Sequence, residues 1–576
     1  MQFLKIIILL ISISVYSQNG NKYQTFFEKG NGNTSADYNE ICNYYKILDA
    51  DFKTIKVQNM GLTDSGEPLQ MVVFSADSNF DFNKISKTKT VFLINNGIHA
   101  GESDGIDATM QLFRDLALHK ITIPKNVVLV AIPVYNIGGC LNRNATTRVN
   151  QNGPEEYGFR GNGRNFDLNR DFIKTDTKNT KSFIEIYHLV QPDIFIDNHV
   201  SNGADYQYTL TYIMTEPKKL GNILGNFMKN ELTPTIVNDL KSKNIISTPY
   251  VNVEGTMPEK GFTQFFDSPR YTTGYTSLFN SIGFVVETHM LKKYSDRVKV
   301  TYDFMKSTLE FAEKNSAKIK KVRLENRKQF EPKQKYTLKW TIDSLAVVKI
   351  PFLGYEGSFK KSEVTSGDRL FYDRLKPFDK QIDFYGDYKS IKEITIPNFY
   401  LIPKAYWTIT DLLKLNKITY TLLKKDTIIE VDSYRIVDYK TAKTAYEGHY
   451  PHNSTKVETT KLKKQFFKGD YLVSTKQIGV KYLLETLEPE AVDSFFNWNF
   501  FDTILQQKEG YSEYVFEDLA NDFLNKKPDL RIKLEQIKKE DKKFVENPEA
   551  QLDWVHKNSP YYEKAHLQYP IFRILK

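Results

Sequence analysis

The sequence predicts an α/β domain over residues 18–331, built on a mixed, mostly parallel sheet, with a β-rich and then partly helical region behind it. Three observations carry that expectation. Apolar runs such as TVFLIN (90–95), NVVLVAIPV (126–134) and DIFID (193–197) lack the polar alternation of a one-faced sheet, which marks strands buried on both sides. Amphipathic stretches separate these runs, the pattern of strands joined by crossover helices. A composition of 40% hydrophobic and 26% charged residues over 576 positions supplies enough apolar side chains for large cores.

In chain order, Ala36 to Leu48 suits a short helix, and Phe52–Val57 and Leu69–Ser75 read as strands of a hairpin around TDSGEP. The strand at Thr90–Asn95 is followed by a helix from about Gly105 to His119, then by the strand at Asn126–Val134. A helix over Thr180–Val190 leads into Asp193–Asp197. YQYTLTYIM, a helix near Lys218 to Asn230 and GFVVET (283–288) continue the alternation, and an amphipathic helix from Asp296 to Asn315 ends it. The charged stretch to Pro332 reads as a helix tail and linker. Segments such as AVVKIPFLGY and KITYTLLKKDTIIEVDSYRIV predict a sandwich or barrel over 332–493, and 494–576 reads as helical.

Residues 1–17 have a basic start at Lys5, an apolar stretch shorter than a membrane span and small residues before Gln18, the features of a cleaved export signal. The expectation is an exported protein, periplasmic or extracellular, with no membrane span. The net charge of +9 is a small excess of 79 basic over 70 acidic residues, so no nucleic-acid partner is implied. Two cysteines, Cys42 and Cys140, allow at most one disulfide and no thiolate metal site.

Chemistry concentrates at strand ends. His99 and Glu102, in HAGE, follow directly on TVFLIN, and their spacing lets both face one ion across a tight turn; the same motif also describes a solvated turn. His199 closes DIFIDNH, and ligands in open α/β sheets bind beyond the carboxyl ends of strands. Two histidines and a carboxylate with a fourth position open form a catalytic zinc set. Glu287 ends GFVVE, where it could move a proton during hydrolysis or form a salt bridge at the sheet edge. Between them FRGNGRNFDLNRDF offers Arg160, Arg164 and Arg170, guanidinium forks suited to a carboxylate. His289 reads as a supporting or packing residue, and His119, His188, His449, His452, His556 and His566 as surface or packing residues.

HAGE, then RGN and DLNRD, then DNH, then VVET, in that order, resemble the M14 zinc carboxypeptidase family, and TDSGEPL resembles its N-terminal hairpin. The resemblance covers residues 20–315 and implies a mixed eight-stranded sheet. It implies one Zn2+ on His99, Glu102 and His199, with Glu287 as general base and acid on a zinc-activated water. Arg160 would polarise the scissile carbonyl, Asn169 and Arg170 would grip the terminal carboxylate of a peptide, and Asp167 would orient His99. The family's mobile tyrosine falls at Tyr271 or Tyr275, with Tyr275 preferred. Gly101 departs from the arginine that digestive members carry inside their HxxE motif. The stretch after Pro332 resembles extensions of exported bacterial members. The implied activity is removal of C-terminal residues from peptides with a free C-terminal carboxylate.

Three other readings compete. Gly101 to Gly105 also spells G-x-S-x-G, the nucleophile elbow of a serine hydrolase at Ser103, although NNGIHAGE intervenes between strand and serine. A zinc amidase or deacylase acting on cell-wall peptides or acyl amino acids would use the same residues. A non-catalytic binding protein could use the aromatic-rich β region.

Overall fold

The protein is described by a computed structural model over residues 22–576. The export signal expected at 1–17 lies outside the described residues. No helix among those residues is long and apolar enough to cross a membrane.

The uninterrupted apolar runs are strands, each covered on both faces. The sheet comprises β1 (Ile55–Leu62), β2 (Pro68–Phe74), β3 (Thr90–Asn95), β4 (Val127–Ile132), β5 (Ile194–Ser201), β6 (Leu210–Met214) and β7 (Ser247–Pro249), with β8 (Phe262–Thr263) outside it and β9 (Ile282–His289) within it. Its eight strands run in the order β1-β2-β4-β3-β5-β9-β6-β7. The central pairs β4/β3, β3/β5 and β5/β9 are parallel, while β1/β2, β2/β4 and β9/β6 are antiparallel. Every residue of β3 and β4 is buried, the two-sided cover that their composition requires.

After an N-terminal helix α1 (Tyr38–Asp51), helix α2 (Asp104–Ala117) follows β3, α3 (Lys178–Val190) precedes β5 and α4 (Tyr294–Arg327) follows β9. Helices α2 and α4 pack together, α4 lying on β3 and β9, while α3 lies against β1 and β2. Helix α4 runs on through the stretch that hydropathy reads as a linker, kinking at Asn315, whose side-chain amide donates to the Phe311 carbonyl. What keeps the charged half helical is a polar buried face. Arg323 pairs with Asp193 and donates to the Asn280 carbonyl, and Asn326 donates to the Leu220 carbonyl. The expected helix near Lys218 to Asn230 is instead broken into Pro217–Leu220 and Asn222–Phe227 at Gly221, whose φ of +115° favours glycine, with a π turn at Met228–Leu232.

The C-terminal region is β-rich, but in place of a sandwich or barrel it holds an open antiparallel sheet and two projecting strand pairs. β10 (Lys335–Ile342) pairs with β13 (Tyr388–Thr395), and the long hairpin of β11 (Val348–Lys361) and β12 (Asp368–Tyr385) reaches β8. The six-stranded sheet is built from β14 (Phe399–Ile402), β15 (Thr421–Leu422), β16 (Thr427–Thr441), β17 (His452–Phe466), β18 (Tyr471–Ser474) and β19 (Gln568–Ile574), in the order β15-β18-β14-β19-β16-β17. Strand β19 comes from the segment that reads as helical and lies between β14 and β16. One apolar core continues from the eight-stranded sheet into this region through Tyr275, Phe279, Tyr482 and Phe495, whose rings lie 5.4–6.5 Å apart in sequence along that path. Part of the aromatic surplus therefore fills this seam.

Arg297 of α4 is fully buried. Its guanidinium meets Asp104 at 3.0 Å and donates to the carbonyls of Asn152, Gly153, Met290 and Lys292. Arg297→Met should lower stability by about 3–5 kcal/mol, because Asp104 is left buried without its partner. Urea unfolding of the variant checks this, and Asp104→Asn added to it should recover part of the loss.

Candidate active site

Parallel register brings the chemistry to one edge. His199 on β5 is paired with Glu287 on β9, and Asn95, the last residue of β3, is paired with Asp197. The chain leaves β3 through Gly97, whose φ of +63° suits glycine, and turns tightly, the Glu102 amide donating to the His99 carbonyl at 2.9 Å. Gly101 has no room for a side chain, since a Cβ would stand 2.6 Å from the Gly158 carbonyl and 2.5 Å from Arg148. Arg148 fills that space and reaches Glu102 at 2.9 Å, which gives a physical reason for glycine inside the HxxE motif.

The ring nitrogens settle how the histidines face. His99 Nε2 lies 3.1 Å from Asp167 Oδ1, and His199 Nε2 lies 2.8 Å from Asp197 Oδ2. An ionised carboxylate only accepts, so each Nε2 carries the proton. Each Nδ1 then turns its lone pair inward, 3.1 Å from Glu102 Oε1 for His99 and 3.1 Å from Glu102 Oε2 for His199. Acceptors facing acceptors at that distance call for a cation or a shared proton between them. The ligand atoms of His99, Glu102 and His199 all lie within 4.8 Å of one another, and the three residues are buried. Nitrogen, nitrogen and carboxylate donors, each imidazole braced by a carboxylate, fit zinc.

The electrostatics agree. Burial alone would raise the Glu102 carboxyl, but His99, Arg148 and His199 outweigh it and hold the group well below its usual range. Burial disfavours the His199 imidazolium, yet Asp197 and Glu102 raise it well above an ordinary histidine. Burial pushes Glu287 up to about 8, with Glu102 and Asp197 adding to the effect and His199 and Arg160 opposing it. Among the described residues no cation lies within salt-bridge distance of the Glu287 carboxylate, so the salt-bridge alternative finds no partner.

Arg160 rests its Nε and Nη2 on Asp167, at 3.1 and 2.8 Å, and holds Nη1 3.4 Å from His99 Nδ1. Its side chain is 46% exposed. The Asn169 amide donates to Asp167 Oδ1, and its side-chain oxygen accepts from the Thr272 amide. The Arg170 guanidinium stacks on the Tyr271 ring at 4.6 Å. Together with Glu287 these residues line a cavity of about 350 Å³.

The preference for Tyr275 is corrected. Tyr275 is fully buried in the aromatic seam, its hydroxyl donating to Asn416 Oδ1 at 2.6 Å and lying 3.2 Å from His188 Nε2. Tyr271 is the tyrosine that lines the cavity. Ser103 is buried at the start of α2, and among the described residues no histidine bonds to it, so the serine elbow lacks its base. His289 stacks on Tyr206 and meets Asp205, away from the metal-facing atoms. Arg164 lies over Phe166 and near Asp64. Cys42 and Cys140 are free thiols.

Two site residues escaped the sequence reading. Asp197 is visible in retrospect as D-x-H on a strand, where residues two apart share a face. Arg148 has no motif around it. A third contribution comes from the far end of the chain: Glu447, in the turn between β16 and β17, accepts from the Asp167 amide at 2.9 Å, and His449 meets Asp176 at 2.8 Å.

A family model described as zinc carboxypeptidase matches residues 41–194, a span that holds His99, Glu102, Arg160, Asp167, Asn169 and Arg170. Residues 41–194 are thus similar to a zinc carboxypeptidase domain. That match, with the two-histidine and carboxylate set, makes the protein a hydrolase of the metallocarboxypeptidase class. Carboxypeptidase 2 of Trichophyton rubrum is 22% identical over 75% of this chain and 78% of its own length. Carboxypeptidase 2 of Trichophyton tonsurans is 22% identical over 80% of each. Among solved structures, a metallo-carboxypeptidase from Burkholderia cenocepacia is 12% identical, covers 49% of this chain and 70% of that one, and superposes with a TM-score of 0.36.

The two tyrosines should separate in the carboxypeptidase assay. Tyr271→Ala should lower kcat/KM about tenfold by removing the face that steadies Arg170. Tyr275→Phe should leave kcat/KM within about twofold while lowering stability by about 1–3 kcal/mol, because Asn416 loses its donor. Steady-state kinetics and thermal unfolding of both variants check this.

Proposed function

We propose that the protein is a zinc-dependent exopeptidase that removes C-terminal residues from peptides, and that it is exported, as its apolar leader suggests. The observation that carries the reading is the convergence, in one cavity, of two inward-facing Nδ1 atoms, an unpaired carboxyl on Glu287 and two guanidinium groups. One zinc ion per chain, held by His99, Glu102 and His199, would supply Lewis acidity, acidifying water and polarising the scissile carbonyl.

The chain's own residues do the rest. Glu287 takes the proton from the attacking water and returns it to the departing amine, a role suited to a carboxyl whose proton affinity is raised and which no cation holds. Arg160 swings from Asp167 toward the carbonyl oxygen as charge develops there. Arg170 and Asn169 hold the substrate's terminal carboxylate, the guanidinium offering a paired fork. Asp167 and Asp197 keep the imidazoles in the tautomer that leaves each Nδ1 free.

Glu287→Gln should lower kcat on a peptide by about 10²–10⁴-fold while zinc content, measured by mass spectrometry of the native protein, stays at one per chain. Full activity in that variant would contradict the proton role. Chelation should abolish hydrolysis and added zinc restore it, whereas Ser103→Ala should leave the rate unchanged. Loss of activity in Ser103→Ala with zinc still bound would favour a serine hydrolase.

A further inference from the structure

The opposite end of the sheet carries polar and apolar cavities that the chemistry above does not use. Asp193 stands directly before β5, whereas His199 lies toward its far end, so the two are roughly 20 Å apart along the strand. Around Asp193 a cavity of about 420 Å³ is lined by Lys87, Lys320, Arg323 and Arg327. A further cavity of about 320 Å³, where α3 meets residues 416–479, is lined by Tyr187, His188, Phe279 and Ile478. Gln191, Arg323 and Arg327 belong to both linings, so the two cavities adjoin.

Charge is out of balance there. Five cations, Lys417 being the fifth, face a single carboxylate, Asp193. That carboxylate is fully buried and already serves Lys320, at 2.6 Å, and Arg323. Arg327 is left over. Among the described residues no carboxylate pairs with it, and its Nε is buried with no hydrogen-bond partner. Burial and the neighbouring Arg323 press the Arg327 guanidinium below its ordinary proton affinity, a penalty that a bound anion relieves.

The adjoining slot is apolar. Tyr187 and Phe279 are buried with ring centroids 5.8 Å apart, and the His188 ring stands edge-on to Phe279 at 4.7 Å. Burial holds His188 down at about 4, so at neutral pH it contributes a ring and no charge. Ile478, 50% exposed, forms the rim. A planar guanidinium fork without an acceptor matches a carboxylate, and a slot of rings beside it matches an apolar body attached to that carboxylate. Inorganic phosphate would meet the cations and leave the slot empty.

We propose that this double cavity is a binding site for a small organic monocarboxylate, its carboxylate accepting from the Arg327 fork and its apolar body lying against Phe279, His188 and Ile478. The site is separate from the metal-facing residues and does not depend on the exopeptidase reading.

Isothermal titration of the full zinc-loaded chain tests this with benzoate, its neutral counterpart benzamide, acetate and inorganic phosphate. Benzoate should bind at least about tenfold more tightly than each of the other three. Because the carboxylate grip proposed for Arg170 offers a competing site, Arg327→Gln makes the assignment. It should weaken benzoate at least about tenfold while keeping the wild-type zinc content and unfolding temperature, since it removes an unpaired cation from beside Arg323. Ile478→Trp, which fills the slot from an exposed position, should weaken benzoate to a similar degree, and it decides if Arg327→Gln does not fold. Benzoate no tighter than benzamide would overturn the inference. So would acetate or phosphate binding as tightly as benzoate, or an unchanged benzoate affinity in the variants.

Discussion

The structure turns on how two imidazoles are held. Asp167 and Asp197 each take an Nε2 proton, and that single constraint points both Nδ1 atoms at Glu102. The same carboxylates are junctions. Asp167 also accepts from Arg160 and from the Asn169 amide, so the residue that orients one histidine also shapes the arginine loop. Asp197 accepts from Asn95 at the end of β3 and from Thr272 beside Tyr271, so it ties two strands and the tyrosine segment together. The inward-facing Nδ1 atoms and the arginine loop are thus positioned by common partners.

The C-terminal region reaches the same loop from outside. Glu447 accepts from the Asp167 amide, Gly448 with φ +79° lies against the Phe166 ring, and His449 bonds Asp176. Farther along, Asp493 accepts from both the amide and the guanidinium of Arg270, next to Tyr271. These contacts connect segments hundreds of residues apart, and the aromatic seam beneath them joins the two apolar cores into one. The loop bearing Asp167, Asn169 and Arg170 is therefore fixed on both sides, which would lower the ordering cost of the carboxylate grip proposed for it.

Much of this was legible in the sequence. Buried parallel strands announce themselves as unbroken apolar runs, and strand ends that carry histidine or glutamate are conspicuous because a polar residue there has no packing reason. What hydropathy could not reach were polar residues buried by partnership. Arg323 and Asn326 make a charged stretch helical because Asp193 and a carbonyl await them. Asp197 hides in an apolar strand because its acceptors are used. Tyr275 and Tyr271 differ only in which side of a short helical turn they occupy, and that follows from the aromatic seam, whose other half lies some 200 residues on. Strand β19 was missed for a similar reason, since its pairing partners β14 and β16 are remote in sequence.

The central claim is the direction of the two imidazoles, and a crystal of the zinc-loaded protein examined by anomalous scattering at the zinc edge addresses it most directly. The account predicts one zinc ion, bound by Nδ1 of His99, Nδ1 of His199 and the Glu102 carboxylate, with Asp167 and Asp197 still on the Nε2 atoms. Zinc bound through either Nε2, or bound at a different set of residues, would contradict it.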